Sequence, residues 1–242
     1  ELDCEHLATG HYARICSNPD TGSTQLSRPQ DLRKDQTYFL HGIPSGDLLR
    51  LMFPLSELTK TEVRKIARKL KLSAANKPDS QEVCFVPKDY RKFLKYELNE
   101  TPLPGEFTSI SGEVLGEHQG LPFYTIGQRR GLGLSDTTPY YVVKIDKEHN
   151  RIVLGKEDDL YSKTISVSSV NWVSISAPET PLSASVKLRS AHHGAIATLF
   201  PESGNKVRLE LENPERAVTP GQAAVFYQKN ILLGGGWIDS SN

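Results

Sequence analysis

The sequence predicts an α/β region followed by two β-rich regions, the last of which is a small β-barrel. Amphipathic helices with capping signals lie within residues 1–100. After Pro102 and Pro104, short β-rich runs alternate with Gly, Pro, Asn and Asp turns, a pattern typical of small barrels and sandwiches. We therefore divide the chain into residues 1–100, 101–160 and 161–242.

The opening of the chain predicts a strand and a hairpin. Residues 5–16 contain a β-rich run that is interrupted near Gly10. Residues 17–30 are polar and include an Asn-Pro-Asp-Thr-Gly turn, so we interpret them as a hairpin loop. A helix is expected to begin near Asp35 and to end before Gly42 or Pro44.

Two basic helices are expected next. The first spans about 59–71, where Thr59 and Glu62 have the spacing of a capping box. Apolar residues recur in it at helical spacing and predict a buried stripe, which consists of Val63, Ile66, Ala67 and Leu70. The second helix spans about 88–98 and carries its own basic face.

The β-rich part carries several turn signals. Residues 146–151 and 202–206 indicate hairpin turns, and the run 123–126 indicates a strand. We expect the glycines of 127–133 to lie in turns. The three consecutive glycines at 234–236 lie late in a strand with no helix after them, which favours a bulge or close backbone approach over a phosphate loop.

Composition limits the classes of function. With 37% hydrophobic and 24% charged residues, the chain resembles an ordinary soluble globular protein. It has no apolar run long enough to span a bilayer and no signal-peptide pattern, so no membrane partner is expected. Its three unevenly spaced cysteines do not form a disulfide framework, which favours a cytoplasmic location. No Cys/His cluster has metal-site spacing, and the pair His192-His193 is interpreted as surface.

Charge is distributed unevenly, although the formal net charge is zero. Residues 28–98 carry 15 Lys and Arg against 9 Asp and Glu, whereas both flanks are acidic. A basic segment of this kind suits contact with a polyanion. A solvated helical face would give the same imbalance.

Cys84 is the strongest candidate for a chemical role. It lies between the two basic helices, with Lys77 and Lys88 close in sequence. A cationic setting favours the thiolate, which is the nucleophilic form of sulfur. Because Asp79 and Glu82 also have capping-box spacing, a buried cysteine behind a helix start is the alternative interpretation.

Six short motifs occur in order along the chain. They are Ala-Thr-Gly-His-Tyr-Ala-Arg at 8–14, Lys-Asp-Gln-Thr-Tyr-Phe-Leu at 34–40, Phe-Pro-Leu at 53–55, Asp-Ser-Gln through Cys-Phe at 79–85, Tyr-Thr-Ile-Gly-Gln-Arg-Arg-Gly-Leu-Gly at 124–133 and Thr-Pro-Gly-Gln at 219–222. Together they closely resemble the tRNA-specific 2-thiouridylases, the MnmA/TrmU family. Each motif alone is weak, but six in order cover essentially the whole chain.

The resemblance implies a fold and an activity. Residues 1–100 would be the C-terminal part of a PP-loop α/β domain of the adenine-nucleotide α-hydrolase-like type, 101–160 a β-rich central tRNA-binding or adaptor domain, and 161–242 a C-terminal β-barrel domain. The family replaces O2 of the wobble uridine of certain tRNAs with sulfur. ATP, with Mg²⁺, activates the oxygen as an adenylate, a cysteine persulfide delivers sulfur, and AMP leaves.

The resemblance also implies partners and site residues. The partners are tRNA, ATP and a sulfur-donor or relay protein, with no prosthetic group and no metal site, and we expect a cytoplasmic monomer. Cys84 matches the catalytic persulfide cysteine, a role that suits a soft thiolate. Gly10 matches an ATP-binding glycine, where a missing Cβ permits close approach. The implied tRNA-binding residues are His11, Lys34, Asp35, Gln36, Arg189, Ser190 and Gln222.

Each implied tRNA contact has a plainer alternative. His11 also fits a turn histidine with a hydrogen-bonded ring, and Asp35 also fits a helix cap. Lys34 and Gln36 also fit the start of that helix, and Arg189 and Gln222 as isolated residues would by default be surface polar groups. Arg129 and Arg130 suit either the tRNA backbone or a solvated loop.

Some features depart from the family pattern. The family's Ser-Gly-Gly-x-Asp-Ser loop for ATP has no match, nor does its second catalytic cysteine, which forms a disulfide with the persulfide cysteine. Cys4 and Cys16 stand in the wrong context and are interpreted as apolar fillers. Glu82 places a negative charge near Cys84, and Ser190 stands where the family often has tyrosine.

The chain begins with Glu1, and Met52 is its single methionine. We therefore expect a fragment or a processed product, which by itself would not adenylate tRNA. Two other classes remain open. A non-catalytic tRNA-binding module would use the barrel and the basic helices alone, and a thiol-transfer protein without RNA would show no salt-dependent tRNA binding.

Overall fold

The computed structural model describes residues 4–73, 75–76 and 102–241. By their internal contacts, residues group into two compact units. Unit 1 comprises Glu1–Lys77, Lys163–Pro214 and Thr219–Asn242, and unit 2 comprises Pro78–Ser162 and Glu215–Val218. Cys84 and the expected helix over 88–98 lie outside the described residues.

Strands dominate the part of the chain that the structure describes. In chain order, its regular elements are β1 (Leu7–Ala8), β2 (Arg14–Ser17), β3 (Thr24–Ser27), β4 (Leu51–Met52), α1 (Lys60–Lys69), β5 (Gly105–Ser109), β6 (Val114–His118), β7 (Tyr141–Asp146), β8 (Arg151–Gly155), β9 (Tyr161–Trp172), β10 (Leu182–Lys187), β11 (Ala195–Glu202), β12 (Lys206–Arg216), β13 (Ala223–Gln228) and β14 (Ile231–Ser241). Short 3-10 turns occupy Leu32–Lys34, Thr37–Leu40, Ser45–Arg50, Leu121–Phe123 and Glu157–Leu160.

A closed six-stranded barrel forms most of unit 1. Its strand order is β13-β10-β11-β12-β9-β14, and β13 pairs with β14 to close the sheet. The predicted hairpin turn between Glu202 and Lys206 is confirmed, because these residues end the β11–β12 ladder. The predicted barrel is therefore confirmed as well.

The glycines at 234–236 lie where strands of the barrel approach most closely. A Cβ on Gly234 would clash with the carbonyl oxygen of Asn171, and one on Gly235 would lie 2.9 Å from that of Ala224. The β14–β9 register shifts between Gly235 and Trp237. This confirms the prediction of a bulge with close backbone approach.

The predicted N-terminal hairpin is confirmed and extends the barrel sheet, but the expected loop over 17–30 is too long, because its residues Thr24–Ser27 form strand β3. Strands β2 and β3 pair with each other, and β3 pairs with β14 through Leu26 and Leu232. In the turn, the side chain of Asn18 accepts hydrogen bonds from the backbone N–H groups of Asp20 and Thr21. Strand β1 pairs separately with β4 in parallel.

One face of β13 packs against the N-terminal segment. Strand alternation places Val225 and Tyr227 on the same face, and both are fully buried. They share a core cluster with Leu26, Tyr38, Leu40, Leu48 and Phe53, among others. The N-terminal residues and the barrel therefore fold around a common core in unit 1.

The segment after Asp35 differs from the expected helix. It forms only a 3-10 turn, Thr37–Leu40, in which Thr37, Tyr38 and Leu40 are all buried. Three of four consecutive side chains must therefore reach the interior, which an amphipathic α-helix with one buried stripe does not achieve.

Helix α1 confirms the predicted capping box, since the Thr59 and Glu62 side chains each bond the other's backbone N–H. The predicted buried stripe on this helix is wrong. Ile66 is 44% exposed and Leu70 is 62% exposed, and no residue of the helix is buried. The apolar spacing correctly predicted a helix, but the apolar stripe is not buried in the structure.

Unit 2 contains a four-stranded sheet with the order β6-β5-β8-β7, in which β5 and β8 are parallel. Its core includes Phe107, Val142, Ile152 and Leu154. The hairpin turn between Asp146 and Arg151 is confirmed. The expected strand at 123–126 is wrong, because Leu121–Phe123 forms a 3-10 turn that contains a proline.

The glycine turns of unit 2 are confirmed. Gly127, Gly131 and Gly133 all have φ between 73° and 82°, a conformation that residues with a side chain rarely adopt. None of the helices in the described ranges is long and apolar enough to cross a membrane.

Candidate functional site

The predicted catalytic residue, Cys84, lies outside the described residues. The two cysteines that the structure describes are free thiols. Burial raises the pKa of Cys16 despite the nearby Arg14, which disfavours its nucleophilic form. The interpretation of Cys4 as an apolar filler is wrong, because Cys4 is exposed.

The structure brings His11 and Gln36 together through Tyr12. The backbone N–H of Tyr12 donates to Oε1 of Gln36 at 2.9 Å, and the backbone N–H of Gln36 donates to the carbonyl of Tyr12 at 3.1 Å. Nδ1 of His11 lies 2.8 Å from Oγ1 of Thr9. The plainer interpretation of His11 as a residue with a hydrogen-bonded ring is therefore confirmed.

Asp35 lies at the centre of a polar cluster, with a side chain that is only 6% exposed. Its Oδ1 accepts hydrogen bonds from the backbone N–H and the hydroxyl of Thr37, at 2.9 and 2.6 Å. Its Oδ2 lies 3.5 Å from Nε of Arg28 and 3.9 Å from Nζ of Lys187. Asp35 does not cap an α-helix, as the plainer alternative supposed.

Lys187 connects Asp35 to the second predicted segment. It is the last residue of β10, and its Nζ donates to the carbonyl of Ser190 at 3.5 Å. Burial lowers the pKa of Lys187, the Asp35 carboxylate opposes that shift, and Arg28 adds to it. Arg189 and Ser190 are exposed beside this contact. The predicted segments 34–36 and 189–190 therefore meet in unit 1.

A buried tyrosine holds the other side of the cluster. Oη of Tyr227 lies 3.1 Å from Oγ1 of Thr37, and the guanidinium of Arg28 stacks over the Tyr227 ring at 4.3 Å. Burial raises the pKa of Tyr227, so the phenol keeps its proton.

Gln222 is exposed at the turn before β13. Its carbonyl accepts a hydrogen bond from the N–H of Ile238 at 2.9 Å. The next residue, Ala223, accepts a hydrogen bond from Oη of Tyr38 at 3.0 Å. Gln222 thus follows a turn that is anchored to the same 3-10 segment as Gln36, although no contact joins its side chain to the Asp35 cluster in the described residues.

Gly10 is exposed, and a Cβ added there would meet only Cδ1 of Leu55, at 3.9 Å. The local packing therefore does not require glycine at this position. Open space over the Gly10 backbone fits close approach by a nucleotide, but it does not form a phosphate cradle. Of the described residues, Gly10 alone is assigned to ATP by the resemblance.

Sequence reasoning missed Arg28 and Lys187. Arg28 was placed in a polar hairpin loop, and Lys187 belongs to a strand-like run. Nothing in local spacing pairs residues this far apart with Asp35. The one available signal was the two-residue separation of Lys187 from Arg189, which puts both on the same side of an extended chain.

The interpretation of the His192-His193 pair as surface is wrong for His192. That residue is 8% exposed, and its Nδ1 accepts the backbone N–H of Leu188 at 3.4 Å. It braces the loop that carries Arg189, because its own N–H donates to the Arg189 carbonyl at 3.0 Å.

Unit 2 has a separate cavity of about 470 Å³ that is lined by Arg129 and residues 131–140. Nζ of Lys156 lies 2.6 Å from Asp136 and sits over the Tyr140 ring. The hydrogen bond from Lys156 lowers the pKa of Asp136 to about 2, and the hydrogen bond from the Thr137 N–H contributes a smaller part of this shift. Arg129 lines this cavity, but the geometry does not distinguish between its two predicted roles. Across the described ranges, no cluster of His, Cys, Asp and Glu could hold a metal ion.

Family models match the chain in three consecutive parts. A tRNA methyl transferase HUP domain matches residues 1–88, a tRNA methyl transferase PRC-barrel domain matches 91–156, and an aminomethyltransferase β-barrel domain matches 162–238. With the barrel and the strand-rich second unit, these matches define the class: a multidomain protein built like the tRNA-modifying enzymes. They also confirm the predicted order of an α/β domain followed by two β-rich domains.

Three curated relatives are named tRNA-specific 2-thiouridylase MnmA. The protein from Symbiobacterium thermophilum is 44% identical over 99% of this chain and 62% of its own length. A Synechococcus protein is 45% identical over 99% of this chain and 67% of its own length. The protein from Carboxydothermus hydrogenoformans is 45% identical over 98% of this chain and 66% of its own length. The chain belongs to the MnmA family of tRNA-specific 2-thiouridylases. It spans about two thirds or slightly less of the length of these relatives.

Proposed function

We propose that this chain supplies the persulfide cysteine and a tRNA-binding surface to an ATP-dependent tRNA 2-thiouridylase. The observation that carries the proposal is the meeting of distant segments in unit 1. Asp35 and Lys187 lie within 3.9 Å, and Lys187 bonds Ser190. Two segments that the family resemblance assigns to tRNA, residues 34–36 and 189–190, thus lie together in unit 1.

The surface we propose combines two kinds of group. Lys34 and Arg189 are cations suited to phosphate oxygens. His11, Gln36, Ser190 and Gln222 are hydrogen-bonding groups suited to base edges or the 2′-hydroxyl. Gln36 uses its Oε1 to hold Tyr12, and we propose that its amide N–H groups bind RNA. The Asp35 side chain is only 6% exposed, so it is not counted among these groups.

The sulfur transfer that we propose runs through Cys84. Close to Gly10, the uridine O2 attacks the α-phosphorus of ATP, pyrophosphate leaves, and O2 becomes part of an AMP leaving group. The terminal sulfur of a Cys84 persulfide then attacks C2, the C2–O bond breaks, and AMP departs with the oxygen. A second thiol next attacks the Cys84 sulfur, which breaks the S–S bond, leaves sulfur on the base and forms a disulfide. A thiol reductant then supplies two electrons to open this disulfide, and a sulfur-donor protein reloads the free Cys84 thiol with persulfide sulfur.

Cys84→Ser tests this role in the complete protein. We expect 2-thiouridine formation to be lost, with tRNA affinity within about twofold of the wild type, because one atom of a thiol contributes little to an RNA interface. Thiolated nucleoside is measured by mass spectrometry after tRNA digestion. Cys16→Ser is the matched control and should keep activity, since Cys16 is partly buried with a raised pKa.

A non-catalytic tRNA-binding module is the second candidate. Persistent thiolation by Cys84→Ser, together with salt-dependent tRNA binding, would favour it.

We also propose that the 242 residues alone do not thiolate tRNA, because they contain no Ser-Gly-Gly-x-Asp-Ser loop. Thiolation by the isolated chain would refute this point. Domains at 1–100, 101–160 and 161–242 are supported by the limits of the family models, and a cytoplasmic monomer stays a proposal.

A further inference from the structure

Arg28, Asp35 and Lys187 form a buried charge cluster that carries an inference about how tRNA is held. The inference rests on the proposed function and specifies its chemistry. The three side chains are 20%, 6% and 13% exposed, respectively. They come from the end of the N-terminal hairpin, the following loop and the end of β10. Only tertiary folding brings them together.

The cluster has one more cation than anion. Two cationic side chains share the single carboxylate of Asp35, at 3.5 and 3.9 Å. Among the residues that the structure describes, Nε of Arg28 is buried without a hydrogen-bond partner, although Oδ2 of Asp35 lies 3.5 Å away. Burying a cation without full compensation costs free energy. An arriving anion would supply the missing charge.

Asp35 itself is a poor partner for RNA. One of its oxygens already accepts two hydrogen bonds from Thr37. The other faces Arg28 and Lys187, and the side chain is almost fully buried. A carboxylate would also repel a phosphate. Its arrangement suits holding the two cations in place.

We propose that Arg28 and Lys187 bind a phosphodiester of the tRNA backbone, and that Asp35 is a positioning residue that does not touch RNA. The exposed fractions of the two cations are the faces through which a phosphate oxygen approaches. Exposed Arg189 lies two residues beyond Lys187, so the site is continuous with the proposed tRNA surface. The phosphate contact fixes the register of the tRNA without reading its sequence.

The first test measures binding of an unmodified tRNA transcript to the complete protein across a range of salt concentrations. Lys187→Gln should weaken binding about tenfold at low salt and reduce the slope of log affinity against log salt by about 0.7 to 0.9. Lys187→Arg should restore the slope. Lys206→Gln is the matched control, because the exposed Lys206 begins β12 at the opposite end of β11 from the Lys187 side.

The second test measures the effect of Asp35→Asn on tRNA affinity in the wild type and in a background that carries both Arg28→Gln and Lys187→Gln. If Asp35 acts through the two cations, its effect should shrink at least threefold once both are neutral. Additive effects would mean that Asp35 contacts RNA directly, and would overturn the positioning role. Circular dichroism and thermal unfolding establish that each variant is folded.

The outcomes separate this inference from the proposed function. Wild-type protein that binds tRNA without salt dependence would defeat the proposed tRNA interface as a whole. Salt-dependent wild-type binding with Lys187→Gln equal to Lys206→Gln would defeat only the phosphate site. Weaker binding by Lys187→Gln with an unchanged salt slope would show a structural effect and would also overturn the phosphate site.

Discussion

His118, a buried residue of unit 2, shows how backbone groups fix the state of one side chain. Its Nδ1 accepts the N–H of Gly120 at 3.0 Å, so the proton must lie on Nε2, which donates to the carbonyl of Asn150 at 3.1 Å. The ring is 1% exposed. Burial lowers the pKa of His118, and the Asn150 bond opposes the shift in part. The neutral imidazole is thus part of the fold.

We expect unit 2 to lose stability as the pH falls below about 6.5, the ordinary histidine pKa. With a folded pKa below the unfolded one, the unfolded state binds more protons in this window, so the stabilisation is complete above it and is lost on acidification. His118→Gln keeps a donor and an acceptor but does not titrate. Hydrogen exchange of unit 2 peptides at pH 7 and 5 should therefore change less in the variant than in the wild type. Equal changes would contradict the assignment.

At the scale of single elements, α1 combines a local cap with a distant one. Oγ1 of Thr59 accepts the Glu62 N–H at 3.3 Å, and Glu62 accepts the Thr59 N–H at 2.7 Å. Buried Asp31 also accepts the Lys60 N–H at 3.0 Å. That hydrogen bond lowers the pKa of Asp31 more than its contact with Arg33 does. Both caps satisfy backbone groups that a helix start leaves unpaired.

Thr59→Ala should destabilise α1 by about 1 kcal/mol, since it removes the side-chain acceptor of the capping box. The amides of the first turn should then exchange about fivefold faster. Thr61→Ala is the control, because Thr61 is exposed within the first turn and alanine is a strong helix former. Equal exchange in the two variants would mean that Asp31 alone caps the helix.

At the scale of the whole molecule, the N-terminal segment and the C-terminal barrel belong to one folding unit. Leu26 of β3 is fully buried in the core cluster that contains Val225 and Tyr227 of β13. Its backbone N–H donates to Oγ of Ser174 at 2.8 Å. A residue near the start of the chain therefore supports strands near its end.

Leu26→Ala should destabilise unit 1 by about 3 kcal/mol, because it leaves a cavity in a closed core. Both tryptophans, Trp172 and Trp237, belong to unit 1, so denaturant unfolding followed by tryptophan fluorescence reports this unit. Leu32→Ala is the control, since Leu32 is 57% exposed. If Leu26→Ala leaves the fluorescence transition unchanged, the hairpin does not fold with the barrel.

Local signals account for much of what the sequence predicted. The capping box of α1, the turns at 146–151 and 202–206, and the glycine bulge of β14 depend on nearby residues and backbone sterics, and each is confirmed. The family motifs predicted which residues to consider, although Cys84 lies outside the described residues. The short 3-10 turn after Asp35 was missed. Its three side chains are buried by tertiary packing, which the local periodicity of the sequence does not reveal.

The sequence by itself determined the order of the domains, the family and the candidate residues, because capping, turn chemistry and motif order are local properties of a chain. Only the tertiary structure decided that Asp35 is buried between Arg28 and Lys187, that His192 is internal, and that the stripe of α1 stays exposed. Burial and charge pairing depend on which distant segments pack together. In this protein the hairpin and the barrel pack around a shared core. The spacing of residues within a single segment does not predict such long-range packing.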